Sequence, residues 1–397
     1  MKQIGGKTFG AMGIALIAGG INGTPLMAAK IKASVETTVR LGYDLNPFLQ
    51  QGSDLGSGVA QAEVRPMLSY RTETTEAQLT GNYERSQYQR RYSHADEYGA
   101  TADVRKRVSP ALNVFATLRY DSSIIGQGDS LSNNAIGTPP VDSTDVNLIG
   151  QRQRSNLYSA QAGGTYKLSP KDEFSVDGGA ILTRFPGRPA GSNSNEYNGR
   201  LAYTHAISPR TKIGFSESVY KIVYDVAGLN TFVVEPSVTF STKLSPTWTF
   251  DASAGVSITT VAQPGVSGRH RSTSWAGSAD LCHIGSRNDF CFYASRAVSS
   301  SGIGSSTVRS QAAFQFNQRI TGRLSGHANA SFAQTKSQIA ALGKREYISA
   351  GVGLSQKITP RLSIGIDGRY RDIFDGPAVK ADLGGEVSAT LALPGPS

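Results

Sequence analysis

A short turn motif recurs along this sequence and restricts what the chain can fold into. Each copy is an apolar residue followed by Ser or Thr and then by Pro or Gly, between two stretches of alternating apolar and polar residues. Most copies lie about 38 residues apart, the spacing of a repeated structural unit. The copies are Val108-Ser109-Pro110, Leu168-Ser169-Pro170, Ile207-Ser208-Pro209, Leu244-Ser245-Pro246, Ile320-Thr321-Gly322 and Ile358-Thr359-Pro360. An altered copy at 282–291 and a polar break at 71–75 fit the same spacing, so we predict eight tight turns.

The stretches between the turns have the pattern of β-strands. Over residues 35–44 the odd positions are mostly apolar and the even positions mostly polar. Side chains two residues apart lie on the same face of a strand, so each strand has one apolar and one polar face. A Ser-Pro pair favours a tight turn, because Pro fixes its own φ and disfavours a helical conformation in the residue before it. Each repeat is therefore predicted to be a long β-hairpin.

The eight turns join sixteen strands, and a first strand over 35–44 and a last strand over 379–393 raise the predicted number to about 18, within 16 to 20. The strands have ten or more residues, whereas strands of soluble proteins usually have five or six. Such strands can cross a bilayer, and closure into a barrel pairs every backbone group in lipid. We therefore predict an all-β fold: a transmembrane, antiparallel, up-and-down β-barrel in the cell outer membrane, with short periplasmic turns and longer extracellular loops.

The N-terminal segment is typical of a secretory signal peptide. Lys2 and Lys7 precede an apolar run over 9–21, and small residues follow at Ala28 and Ala29. The alternative, a membrane anchor, is disfavoured because the apolar run has about 13 residues where roughly 20 are needed. We predict a signal peptide over 1–29 and a single barrel domain over 30–397.

Three places depart from the regular repeat. Residues 122–152 are rich in Gly, Ser, Asn and Asp and predict a long loop, the third on its side of the sheet. Glu217 and Lys221 fall on the apolar face of their strand, which predicts a bulge or a change of register. Pro236 lies inside a strand and should interrupt the hydrogen-bond ladder there.

No catalytic constellation is found in the sequence. The segment Gly5-Gly6-Lys7-Thr8 lacks the upstream Gly of a phosphate-binding loop, and no Gly-x-Ser-x-Gly motif is present. The five histidines are scattered, so we expect no metal, no cofactor and no enzyme activity, although a hydrolase in the barrel wall stays an alternative. The net charge of +10 favours anionic partners, but an exported barrel is not expected to bind nucleic acid.

The two cysteines flank one turn of the repeat. Cys282 and Cys291 would face each other on adjacent strands, and in an oxidising compartment this placement predicts a disulfide. A metal site that includes His283 is the alternative, but it has too few ligands at suitable spacing.

The polar faces of the strands would surround a water-filled lumen, because about 18 strands leave a channel. Charges on such a wall influence which solutes pass; a wall that is merely solvated is the alternative. The predicted pore-lining residues are Arg40, Arg65, Arg105, Arg107, Arg119, Asp121, Lys243, Asp251, Asp367, Arg369 and Arg371. The third loop would narrow the pore if it folds inward and decorate the surface if it folds outward.

The signal peptide, the opening segment from Val39 to Pro47 and the recurring Leu-Ser-Pro turns resemble a family of outer-membrane β-barrel porins associated with exopolysaccharide export. The resemblance implies passage of a secreted polysaccharide and partners in the periplasmic export machinery, besides outer-membrane lipid and lipopolysaccharide. Two other functions stay open: a general or substrate-selective diffusion porin for small solutes, and a structural or adhesive surface barrel.

Overall fold

The computed structural model describes residues 30–127, 145–187, 192–225, 230–262, 269–337, 343–374 and 379–394. They form one antiparallel sheet of eighteen strands, in which each strand pairs with its neighbours in the chain and the last pairs with the first. The strands are β1 Lys30–Asp44, β2 Ser57–Arg71, β3 Thr75–Tyr88, β4 His94–Arg107, β5 Leu112–Ile124, β6 Arg154–Lys167, β7 Asp172–Arg184, β8 Ser194–Ala206, β9 Thr211–Tyr224, β10 Asn230–Lys243, β11 Trp248–Ala262, β12 Arg269–Ile284, β13 Asn288–Ser301, β14 Ser305–Arg319, β15 Leu324–Ser337, β16 Lys344–Lys357, β17 Leu362–Phe374 and β18 Asp382–Pro394.

The predicted fold class is confirmed: the sheet closes into a barrel of eighteen strands with eight short turns at one end and mostly longer loops at the other. β1 begins at Lys30, earlier than predicted, and β18 begins at Asp382. The predicted signal peptide over 1–29 lies outside the described residues. Among the residues described, no helix is long and apolar enough to cross a membrane.

The recurring Ser or Thr of the turn motif has a direct structural role. The Ser109 hydroxyl accepts hydrogen bonds from the backbone N–H groups of Ala111 and Leu112, at 3.3 and 3.0 Å. These donors lie in the turn, beyond the regular ladder, and a short side-chain acceptor satisfies them locally. The same pair of bonds is made by Thr72, Ser169, Ser208, Thr321 and Thr359.

The loop between β5 and β6 shows which face of the sheet is inside. Its short 3₁₀ helix Val146–Leu148 lies against β15 and β16. Those strands are on the opposite side of the barrel, so the loop can reach them only through the interior. Residues paired across a ladder share a face, and the register therefore assigns the inner face to every strand.

The outer face is apolar. Leu41, Leu118, Val238, Trp275 and Val352 are each more than half exposed and lie on this face. Large exposed apolar side chains all around a closed barrel are stable only in contact with lipid. The protein is an outer-membrane β-barrel.

One predicted irregularity is wrong and another is present. β9 pairs with β8 and β10 in an unbroken register, so there is neither a bulge nor a change of register, and Glu217 and Lys221 lie on the outer face. At Pro236 the ladder between β10 and β11 stops and then resumes in the same register, because Pro has no N–H to donate. Pro66 interrupts the ladder between β2 and β3 in the same way.

Candidate functional site

Two loops fold into the loop end of the barrel. We call residues 45–56, between β1 and β2, loop 1, and residues 125–153, between β5 and β6, loop 3. Residues 128–144 of loop 3 lie outside the described residues. The described part of loop 3 folds inward, which answers the question that the sequence left open.

Loop 3 is fixed to the far wall by hydrogen bonds. The guanidinium of Arg345 on β16 donates to the carbonyl of Asn147 at 2.7 Å and to that of Val146 at 3.4 Å. The Thr335 hydroxyl on β15 donates to the side-chain carbonyl of Asn147 at 3.3 Å. These bonds hold the 3₁₀ helix on the wall opposite to the strands from which the loop starts.

A second anchor joins loop 3 to the connection between β13 and β14. The Asp145 carboxylate accepts hydrogen bonds from the Ser301 hydroxyl at 2.9 Å and from the backbone N–H of Gly302 at 2.6 Å. A Cβ on Gly302 would lie only 2.5 Å from Leu148 and 2.7 Å from Phe185. The absence of a side chain at Gly302 therefore allows loop 3 to pack closely on this connection.

Apolar side chains of both loops form a small core inside the barrel, which we call the loop core. Leu49 of loop 1 and Val146 and Leu148 of loop 3 are fully buried in it. The remaining buried members are Ile125, Ile149, Phe185, Ala333, Tyr347 and Ile373. Burying one such aliphatic side chain contributes about 1.5–3 kcal/mol, so this core and the hydrogen bonds together keep the loops in place.

Aromatic rings support loop 1 on its other side. Phe48 packs against Tyr88 and Tyr92, with ring centroids 5.4 and 4.9 Å away. The Arg152 guanidinium of loop 3 lies 4.9 Å from the centre of the Phe48 ring, a cation–π distance. Burial raises the pKa of the Tyr92 hydroxyl above its usual value, although Arg91 and Arg152 act in the opposite direction.

Arg371 on β17 connects both loops to the wall. Its guanidinium donates to the Asp382 carboxylate at 2.6 Å, to the carbonyl of Pro47 at 2.9 Å and to that of Gly126 at 2.9 Å. Arg371 is 1% exposed and Asp382 is fully buried. A buried charge is tolerated when it is paired and hydrogen-bonded. Arg371 is thus on the inner face, as the predicted pore-lining set requires, but it is covered by the loops and acts as their clamp.

Below the loops, charged side chains form a network on the inner face of β17, β18 and β1–β3, which we call the ion-pair wall. Arg40 lies 2.6 Å from Glu63, 3.3 Å from Glu84 and 3.6 Å from Glu386, measured between nitrogen and oxygen. The other pairs are Arg65 with Glu63 and Glu36, and Arg369 with Asp44. Arg40, Arg65 and Arg369 are thus each paired with at least one carboxylate.

A cavity of about 290 Å³ adjoins the ion-pair wall. Its lining includes Arg40, Arg369, His327, Ser349 and Asp367. His327 lies 3.0 Å from Asp367. This recess offers both charged groups and hydroxyl groups to a solute in the lumen.

The inner face of β9–β14 differs, and we call it the hydroxyl wall. Hydroxyl groups face each other across neighbouring strands there: Ser216 with Ser237 and Ser253 with Ser278, both at 2.8 Å. Ser299 and Thr307 make the same kind of pair at 3.3 Å. Two of the predicted pore-lining residues, Lys243 and Asp251, lie on this face by register.

The remaining predicted residues are also on the inner face. Arg105 and Arg107 lie near the short-turn end of β4, where Arg107 donates to the carbonyl of Glu73 at 3.0 Å. Arg119 and Asp121 are neighbours on β5, 3.8 Å apart. The effect of these side chains on conduction stays a prediction.

Apart from Arg371, the sequence did not single out the residues that hold the loops. Asp145, Arg345 and Asp382 are the charged members of this set. Asp145 lies in the long loop and the other two at the beginning of a strand. Alternation indicates which side of a wall a side chain occupies, but not which loop reaches it.

The two cysteines are joined in the structure: Cys282 and Cys291 pair directly across β12 and β13, with their Cα atoms 4.2 Å apart and a bond between the sulfurs. The carboxylate of Asp280 lies beside them, with all three possible ligand atoms within 4.8 Å of one another. Sulfur atoms in a disulfide are not thiolates, which are the form that binds metal. His283 points to the outer face, where it packs on Trp248 at 4.9 Å between ring centroids.

No protein-family model matches the sequence, and no curated protein matches it. Solved structures show a likeness in barrel architecture. OccK2 (OpdF) of Pseudomonas aeruginosa has a TM-score of 0.49 and 9% identity, over 92% of this chain and 98% of that chain. A BenF-like porin from Pseudomonas fluorescens Pf-5 has a TM-score of 0.48 and 8% identity over the same shares. OpdK of Pseudomonas aeruginosa, solved with vanillate, has a TM-score of 0.45 and 10% identity, over 91% and 98%. Structural similarity at such low sequence identity is limited to the fold.

Proposed function

We propose that this protein is a diffusion porin for small polar solutes, with a constriction built by loops 1 and 3. The observation that carries the proposal is the docking of loop 3 across the lumen. Its 3₁₀ helix is bonded to Arg345 and Thr335 on the far wall and buried in the loop core. A loop held in this way narrows the passage and limits the size of what can pass.

Passage of a secreted polysaccharide, with export machinery as a periplasmic partner, is less well supported. A polymer needs a continuous wide path, and the docked loops occupy part of the lumen. The clamp at Arg371 and the loop core would both have to open for each chain. A structural or adhesive barrel is also less well supported, because the described parts of loops 1 and 3 fold into the barrel instead of being displayed outside. Contact with outer-membrane lipid and lipopolysaccharide remains part of the proposal for the outer face and the loop end.

The experiment is conductance of the purified protein in planar bilayers, combined with swelling of liposomes in sugars of increasing size. We expect stepwise conductance and a size limit. The double variant Arg345→Ala/Leu148→Ala should release loop 3, raise the conductance and admit larger sugars. Lys357→Ala, on the inner face at the other end of β16, is the control and should leave the size limit unchanged. Silence in all salts, or the same size limit in the loop variant, would refute the proposal.

A further inference from the structure

Glu217 is an unusual residue for the outer face of the barrel. It is the seventh of the fourteen residues of β9, and it lies between Leu201 on β8 and Pro236 on β10. Its exposed carboxylate makes no hydrogen bond or ion pair with any part of the chain that the structure describes. A carboxylate that faces hydrocarbon without a partner is costly, so a partner from outside this chain is expected.

A positive charge lies at a similar depth on another part of the outer face. Arg296 is the ninth of the fourteen residues of β13, and β9 and β13 both run from the short-turn end. Its guanidinium donates to the Ser310 hydroxyl at 2.6 Å and lies 4.7 Å from the centre of the Trp275 ring. Its buried Nε has no hydrogen-bond partner among the described residues, and no carboxylate of those residues pairs with it.

Glu217 and Arg296 cannot meet within one copy. Four strand spacings of about 4.8 Å separate β9 from β13, a distance of about 19 Å. Copies of one barrel insert into a membrane in the same orientation, so residues of similar depth can meet between copies. A twofold contact through β9 would bring Glu217 against Glu217, which is repulsive. Contact between two different faces instead brings opposite charges together.

The angle between the two faces suits a closed ring. Four of eighteen strands correspond to about 80° around the barrel. Seen from the centre of one copy, its two neighbours are about 60° apart in a ring of three and about 90° apart in a ring of four.

Small residues beside both charges would allow two copies to approach each other closely. Gly199 lies on β8 one position further along the outer face than Leu201, and a Cβ there would meet nothing within 4 Å. Gly277 lies directly opposite Arg296.

We propose that the protein assembles in the membrane into a closed ring of three or four identical copies, in which Glu217 of one copy pairs with Arg296 of the next. The partner is a second copy of this chain because the chain itself supplies both charges at similar depth, at the seventh residue of β9 and the ninth residue of β13. The pair would also supply a carboxylate to the unsatisfied guanidinium of Arg296.

Crosslinking in native membranes tests the contact. The double variant Glu217→Cys/Arg296→Cys, treated with a short bis-maleimide, should give covalent oligomers that end at the trimer or the tetramer. Each single cysteine variant should give no covalent oligomers. The control Glu217→Cys/Val387→Cys places the second thiol on β18, nine strands from β9, and should also give no covalent oligomers. Oligomers that are no more abundant in the test variant than in the control would overturn the proposal.

Charge reversal tests the pairing itself, and it remains informative if the cysteine variants fold poorly. Glu217→Arg alone and Arg296→Glu alone should each lower the oligomer fraction in mild detergent about tenfold or more. The double reversal Glu217→Arg/Arg296→Glu should restore it, because the pair is rebuilt with its signs exchanged. A double reversal that is no better than the single variants would sink the idea.

Discussion

The ion-pair wall and the hydroxyl wall face each other across one lumen, but different interactions hold them. On the ion-pair wall Arg40 is in contact with three carboxylates on three other strands, β2, β3 and β18. On the hydroxyl wall the pairs described above, such as that between Ser253 and Ser278, each join only two neighbouring strands. One wall is therefore a network whose members depend on each other, and the other is a set of independent pairs.

The two walls should respond differently to change. Removing one member of a charged network leaves its partners uncompensated, and that penalty exceeds the loss of a single bond. Removing one hydroxyl of a pair leaves a partner that water in the lumen can satisfy. The difference suggests that substitutions on the ion-pair wall affect stability and ion selectivity more strongly than substitutions of single hydroxyl groups on the hydroxyl wall.

The largest effect is expected for the clamp above the ion-pair wall. Arg371→Ala should lower the free energy of unfolding by about 3–5 kcal/mol, because the buried Asp382 carboxylate would lose its cation. Loops 1 and 3 would also lose two backbone contacts. Urea unfolding followed by tryptophan fluorescence measures the loss. Lys243→Ala on the hydroxyl wall is the control, and an equal effect of both variants would contradict the role of the clamp.

The next effect concerns ion selectivity. Arg40→Ala should leave Glu63, Glu84 and Glu386 without their shared cation and shift the preference of the pore towards cations. The loss of charged hydrogen bonds should cost about 1.5–3 kcal/mol of stability. Reversal potentials in a salt gradient measure the selectivity, and Arg40→Lys should restore most of it. An unchanged reversal potential would mean that the ion-pair wall does not border the conducting path.

The two walls also show how far the sequence could be interpreted. The period of two residues and the spacing of the Ser-Pro turns were sufficient for the barrel and the number of strands, and the polar positions of a regular strand such as β1 lie on its inner face. The alternation places Arg369 and Arg371 on the same face of β17, yet the Arg371 side chain is buried under the loops and the Arg369 side chain is a quarter exposed. That difference arises from contacts between residues more than 200 positions apart, such as Arg371 with Gly126, which no local pattern contains.

The wrong prediction for β9 has a related cause. Two charges on an apolar face indicated a disturbed strand, because a charged residue facing lipid is costly. The strand is nevertheless regular, with Glu217 and Lys221 on the outer face. The backbone hydrogen bonds of the closed sheet therefore decide the register, even where this places charged side chains on the outer face.

A smaller effect is expected for the disulfide at the short-turn end of the hydroxyl wall. The double variant Cys282→Ala/Cys291→Ala should lower stability by about 2 kcal/mol, because the bond closes a short loop and restricts the unfolded chain only modestly. Selectivity should not change. Alkylation of the unfolded wild-type protein should leave its mass unchanged without reduction and add two alkyl groups after reduction, and an increase in mass without reduction would show that the bond is absent in the membrane protein.

The smallest effect is expected for a single hydroxyl pair. Ser253→Ala should lower stability by about 0.5–1.5 kcal/mol and leave both the reversal potential and the size limit unchanged, because Ser278 keeps contact with lumen water. The test is a comparison with Arg40→Ala in the same unfolding and conductance measurements. If Ser253→Ala shifted selectivity as much as Arg40→Ala, the two walls would not differ in function, and both would have to border the narrowest part of the path. A stability loss without a shift in selectivity would show that the Ser253–Ser278 pair does not belong to the selective surface.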